Sequence, residues 1–152
     1  ILPAAIGLSA WLWRAHANLH ADGREALNYT PGWAVGSLAL PFVNLVVPMQ
    51  AMRELWNRSH GEEQWGARQT VAAVSSWWTC FVCGALLHTV LMAVVLLDLG
   101  TDFAFITPPG VNMFFLFFAT ALLGVSAWYL YRIIGAITRA QHTATHVGDT
   151  FA

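Results

Sequence analysis

The chain has 152 residues, seven of them basic and eight acidic, for a formal net charge of −1. It is 57% hydrophobic and 10% charged, against roughly 45–50% and about 25% in ordinary soluble domains. With a mean hydropathy of +0.56, this composition excludes a disordered chain, a basic nucleic-acid binder and a water-soluble globular fold. It leaves an all-α polytopic membrane bundle as a single integral membrane domain, built from four hydrophobic segments at about 1–21, 33–57, 70–98 and 111–141.

The first segment, Ile1 to Trp13, meets Arg14 after 13 residues. A helix rises about 1.5 Å per residue and the hydrocarbon core is roughly 30 Å thick, so this stretch alone is too short to span. It reads as the end of a spanning helix that continues towards Leu19, with Arg14 reaching to the interface and upstream residues completing it. No charged leader and small-residue cleavage pattern marks it as a signal peptide. His16 and His20 are four apart, a spacing that can hold a divalent metal with Asp22 or Glu25. No His-Glu-x-x-His pattern supplies a general base, so solvated interfacial histidines are the expected reading.

The second segment is uncharged from Trp33 to Met52 but carries Gly36, Pro41, Asn44 and Pro48. Proline removes a backbone donor and clashes with the preceding turn, so this segment is kinked or re-entrant. Thr30-Pro31-Gly32 supplies the turn into it, with Trp33 at headgroup level. Gln50, Arg53, Glu54 and Asn57 follow within two turns. Arg53 with Asn57, or Glu54 with Arg58, are available i, i+4 pairs. The expected role is an interfacial network that locks helix ends; a ligand or lipid-headgroup site is the alternative.

From Thr70 to Leu97 there is no charged residue, which makes the third segment a secure span. It holds Cys80-Phe81-Val82-Cys83, read as packing because no second cysteine pair exists. It also holds His88, with Gly84 one turn before. A small residue beside a membrane histidine can admit a flat macrocycle, so haem or a chlorophyll-type pigment, or else a proton relay, is the alternative to hydrogen-bonded packing. Asp98 and Asp102 flank Gly100; they read as surface residues of the following loop more readily than as a cation or acid/base pair.

The fourth segment is uncharged from Val111 to Tyr131. Phe114, Phe115, Phe117 and Phe118 suit a lipid or partner face, while Ala119, Ala121, Gly124, Ser126 and Ala127 suit close helix contact. His142 and His146 repeat the four-residue histidine spacing. Basic residues favour the cytoplasmic side. Four spans put five of the seven arginines on one face; a re-entrant second segment gathers all seven. Both arrangements turn the loop 98–110 away from the cytoplasm.

Several strings resemble a bacterial membrane family catalogued as domain of unknown function 4328. They are Trp13-Arg14-Ala15-His16-Ala17-Asn18-Leu19, Thr30-Pro31-Gly32-Trp33-Ala34-Val35-Gly36, Pro41-Phe42-Val43-Asn44-Leu45 and Pro48-Met49-Gln50-Ala51-Met52-Arg53-Glu54-Leu55-Trp56, with a weaker Ile137-Thr138-Arg139-Ala140-Gln141. The resemblance runs from about residue 11 to 141 and is dense up to Trp56. The family often has Ser at the Thr30 position and an aromatic at Met49, and the third segment here departs from its tryptophan-rich pattern. The resemblance implies a multi-helix inner-membrane protein and no particular activity.

No nucleophile–base pair can be named, so no catalytic residue and no metal site are expected. The leading expectation is a non-enzymatic accessory subunit in the bacterial inner membrane, packed in the lipid bilayer against other membrane protein subunits. The alternatives are a haem- or chlorophyll-binding subunit using His88 and Gly84, and a small transporter or channel lined by Asn44 and Gln50 of the broken segment.

Overall fold

A computed structural model describes residues 2–23, 27–40, 42–62, 71–101, 108 and 110–151, the side chains of 2 and 144–151 excepted. Arg24, Glu25, Pro41, Arg68 and Asp102, and the His146 side chain, lie outside the described residues. Among the described residues the chain is helical, without strands: α1 (Leu2–Ala21), α2 (Pro31–Gly36), α3 (Val47–Ser59), α4 (Ala72–Gly100) and α5 (Val111–Phe151). The segments expected at 1–21, 70–98 and 111–141 coincide with α1, α4 and α5, although α5 continues to Phe151.

The segment expected at 33–57 is broken. It comprises α2, single 3₁₀ turns at Ser37–Ala39 and Val43–Leu45, and then α3. Thr30 caps α2, its hydroxyl oxygen accepting from the Trp33 N–H at 3.2 Å, and Pro31 stands where no intrahelical donor is required. Between the two 3₁₀ turns Phe42 adopts φ 65°, a left-handed conformation that a side-chain-bearing residue rarely takes. Pro48 then opens the first turn of α3. The α3 helix has 13 residues, about 20 Å at 1.5 Å each, which is short of a bilayer core.

Four spanning segments were expected; two helices meet the length and composition of a membrane span, Ala72–Gly100 and the stretch Val111–Thr143 of α5. Only 6% and 11% of their most apolar windows is buried within the chain.

The residues form two compact units. The first joins 1–74 to 132–152, and the second is 75–131. In the first unit Leu12, Ala15 and Leu19 recur at helical spacing on α1 and are buried with Ala34, Met52, Leu55, Ile133 and Ile137. This unit also buries His16, Ser37, Asn57, Arg58 and Ser59. In the second unit the two helices meet through small residues. A Cβ added at Gly84 would stand 3.0 Å from the Leu123 side chain and 3.1 Å from the Ala119 carbonyl oxygen, and Ala119 is fully buried. Of the five small positions on α5, Ala119 and Ser126 are buried, whereas Ala121, Gly124 and Ala127 are exposed.

Candidate functional site

In the first unit α1, α3 and the end of α5 are joined by one side chain. Gln141 donates from Nε2 to the Ala15 carbonyl and to Ser59 Oγ, each at 3.1 Å. Its Oε1 accepts from Asn18 Nδ2 at 3.3 Å. One turn earlier on α5, the Thr138 hydroxyl accepts from the Trp11 indole N–H at 3.3 Å. A primary amide suits this position because it carries donors and an acceptor together and needs no counter-charge.

Glu54 anchors the loop that precedes α2. Its Oε1 accepts from the Asn28 backbone N–H at 2.6 Å and from Asn28 Nδ2 at 3.1 Å, and its Oε2 accepts from the Tyr29 N–H at 3.1 Å. The carboxylate thus holds the loop across the turn rather than a partner four residues along its own helix. The Tyr29 hydroxyl donates to Gln50 Oε1. Burial first, then the Glu54 carboxylate, push the Tyr29 phenol above its ordinary value of 10.0, against the pull of Arg53. Of the four residues singled out as a network or ligand site, Gln50, Arg53 and Glu54 therefore gather around Tyr29. Asn44 lies apart from them in sequence, in the second 3₁₀ turn, half-buried.

His16 is 2% exposed, and neither ring nitrogen has a hydrogen-bond partner. Burial, with a smaller contribution from the charge of His20, lowers its pKa from 6.5 to about 4. His20 points elsewhere: its Nδ1 lies 2.9 Å from the His16 carbonyl oxygen, where a protonated Nδ1 donates. Among the described residues no group of three or more His, Cys, Asp or Glu side chains is placed to hold a metal. His142 instead lines an open cavity of about 350 Å³ with Asn18, Asp22, Thr138 and Gln141.

The model of the family described as Domain of unknown function (DUF4328) matches residues 1–139. The chain belongs to that family. No curated protein and no solved structure matches it. The strings that carry the resemblance to DUF4328 all fall in the first unit, in α1, the broken segment, α3 and the end of α5. Asn18, Tyr29 and Gln141 were not singled out from the sequence as site residues. The available signal was that Asn18 and Gln141 stand in the family strings, polar residues beside apolar helix faces.

In the second unit His88 is half-buried, and its Nδ1 is shielded from solvent with no hydrogen-bond partner. It lines an apolar groove of about 250 Å³ with Met92 and Val95 of α4 and Asn112, Met113 and Leu116 of α5. Gly84, one turn away, faces Leu123 and Ala119, so its missing side chain serves the approach of α5. Cys80 is half-buried and Cys83 exposed, both as free thiols. Thr89 and Thr120 turn their hydroxyls back to the carbonyls of Ala85 and Leu116, each at 2.8 Å, as helix residues facing an apolar medium do.

Proposed function

We propose that this member of DUF4328 is a non-enzymatic accessory subunit of the bacterial inner membrane, anchored by α4 and α5 and packed against a larger membrane protein. The observation that carries this reading is the second small-residue face of α5. Ala119 and Ser126 are buried, while Ala121, Gly124 and Ala127 remain exposed, and a Cβ at Gly124 would meet nothing within 4 Å. Small residues let helix backbones approach closely in a bilayer, where no hydrophobic force separates protein from lipid contact. Around that face, Met113, Phe114, Phe117, Trp128 and Tyr131 are each at least half exposed.

Two spans with a broken, non-spanning segment 33–57 give a hairpin in the membrane. All seven arginines precede Ala72 or follow Tyr131, so the hairpin puts them on one side, which the positive-inside tendency makes cytoplasmic. The loop after α4 then faces away from the cytoplasm. The hydrogen bonds of Gln141 and Glu54 hold the elements of the first unit to one another, and this reading asks no chemistry of them.

Purification from native membranes in mild detergent is expected to co-isolate a stoichiometric protein partner. Gly124→Leu, placed in open space, is expected to release that partner while leaving thermal unfolding of the isolated chain unchanged. A monodisperse lone monomer from native membranes overturns the reading, and so does a partner retained equally by the Gly124→Leu chain.

A further inference from the structure

We propose that the broken segment between α2 and α3 is a shallow phospholipid-binding wedge. Leu40, Phe42, Leu45 and Val46 enter the outer acyl region of the cytoplasmic leaflet, and Trp13 and Trp33 mark its headgroup boundary. This rests on the reading that α4 and α5 anchor the chain and leave the first unit on the cytoplasmic side. Phe42 is 84% exposed, at a left-handed φ that glycine or asparagine adopts at lower cost. The chain thus holds a strained residue whose ring takes almost no part in the core. Its neighbours repeat the pattern. Among the described residues between Trp33 and Gln50, every exposed one is apolar or glycine. The polar side chains of that stretch are withdrawn, Ser37 buried and Asn44 half-buried. A contiguous apolar surface of this kind marks a binding face rather than a loop turned to water.

Backbone, side chains and rim all select phospholipid over a protein partner. The irregular backbone is closed on itself. The N–H groups of Leu40, Asn44, Leu45, Val46 and Gln50 donate to the carbonyls of Ser37, Leu40, Phe42, Val43 and Val46 at 2.9–3.3 Å. Donors satisfied in this way meet the condition that lipid imposes on a backbone leaving water. A protein interface carries about one hydrogen bond per 100–200 Å². The exposed side chains of this stretch offer no donor or acceptor beyond the Trp33 indole, and acyl chains ask for none. The rim is amphipathic. The Trp13 ring lies 3.6 Å from where a Cβ on Gly32 would stand, so the half-exposed indoles of α1 and α2 come together there. Indoles concentrate at headgroup level. Arg14, exposed at the next position of α1, adds a positive charge that complements the negative cytoplasmic leaflet. Depth follows from the same backbone. The 13 residues of α3 are too few to cross, and irregular backbone does not face lipid in the hydrocarbon centre. Burial by about 5–10 Å, as interfacial segments achieve, suits the four apolar side chains and keeps both tryptophans at the surface.

The test is depth-resolved fluorescence quenching of the full chain in vesicles of phosphatidylethanolamine and phosphatidylglycerol. With Cys80→Ala and Cys83→Ala as background, an environment-sensitive dye is attached through Phe42→Cys, Asp22→Cys or Val90→Cys. The dye at Phe42 should be shielded from aqueous iodide. A nitroxide on the upper acyl chain should quench it at least twofold more strongly than the dye at Asp22, and a nitroxide at the acyl terminus should quench it less. Val90, exposed near the middle of α4, reports the anchor and should respond most to the terminal nitroxide. If the Phe42→Cys chain fails to fold by circular dichroism, Leu45→Cys takes its place with the same expectation. Iodide quenching at Phe42 equal to that at Asp22 overturns the wedge. So does shielding from iodide and nitroxide alike, which puts protein on this face, and so does strongest quenching by the terminal nitroxide, which puts the segment too deep. A lipid-quenched Val90 beside an iodide-quenched Phe42 ends this inference alone. Iodide quenching at both ends the membrane anchor and the inference with it.

Discussion

The two units use opposite means to hold helices together. Residues 1–74 and 132–152 bury polar groups and connect them, with Gln141 joining three helices and Glu54 taking three loop hydrogen bonds. Residues 75–131 have a close contact at Gly84, Ala119 and Leu123 and leave most of their apolar surface uncovered. In water the second arrangement would expose a large apolar area at a cost of about 25 cal/mol per Å². In a bilayer that cost disappears. The contrast teaches that burial inside the chain measures stability only in the first unit.

Matched truncations are the strongest way to break this contrast. Leu55 is fully buried on α3, whereas Phe117 on α5 is 76% exposed. Leu55→Ala is expected to cost about 2–5 kcal/mol through lost contacts and a residual cavity. Phe117→Ala, although it removes more atoms, should stay within about 0.5 kcal/mol. Thermal unfolding of both variants in the same detergent measures the difference. A Phe117→Ala loss as large as that of Leu55→Ala would put the phenylalanine against another chain in the solubilised protein and remove the contrast.

The next largest effect belongs to His16 and sharpens the account of the polar unit. Its folded-state pKa of about 4 lies below the ordinary 6.5, so between those values the unfolded chain binds a proton that the folded chain does not. Stability therefore increases with pH across this window: it is fully present above 6.5 and is lost as pH falls towards 4. At about 1.4 kcal/mol per pKa unit, the whole shift amounts to about 3 kcal/mol. Carboxylates titrate near the lower end of the same window, so the measurement is the difference between the wild type and His16→Leu. The leucine variant should lack the decline centred between pH 4 and 6.5. Equal pH profiles for the two proteins would mean that the imidazole is hydrated in the folded chain.

Glu54→Ala removes the single acceptor group for two N–H donors of the backbone and one of a side chain. Hydrogen bonds to a charged acceptor contribute about 1.5–3 kcal/mol each, but the site is half-buried and water can replace part of them. A net loss of about 2 kcal/mol is expected, with faster amide exchange at Asn28 and Tyr29. Glu54→Gln should lose less, because the amide oxygen still accepts.

The two helices long and apolar enough to cross a membrane were legible because charge-free runs of 20 or more apolar residues have few other uses. Thr70 to Leu97 and Val111 to Tyr131 contain α4 and the first half of α5 almost to the residue. The broken second segment was legible from Pro41 and Pro48, since proline acts locally through its own ring. The network was half legible. Gln50, Arg53 and Glu54 stand on one helix, and their spacing shows that they share a neighbourhood. Their partners Asn28 and Tyr29 precede α2, and Gln141 is 126 residues from the Ala15 carbonyl it binds. Spacing within a helix carries no information about such pairings. His16 shows the same limit, because four-residue spacing to His20 puts two rings on one face but says nothing of what covers each. The structure buries one and exposes the other.

The smallest expected effect tests how the family strings relate to physics rather than to chemistry. Thr30 opens one of the strings shared with DUF4328, and its hydroxyl oxygen caps a helix of only six residues. A helix this short has few internal hydrogen bonds, so one satisfied N–H at its start is a large share of its local stability. Thr30→Ala should cost about 1 kcal/mol, the usual cost of an N-cap loss. Thr30→Ser, the residue the family often carries here, keeps the oxygen and should be neutral within a few tenths of a kcal/mol. Unfolding midpoints separate the two, and exchange of the Trp33 amide reports the bond itself. If alanine and serine behave alike, the hydroxyl holds nothing at this position, and the recurrence of the string must come from what Pro31, Gly32 and Trp33 do at the membrane edge. If only alanine weakens the protein, this part of the string is explained by capping alone and gives no support to a ligand site at the start of α2.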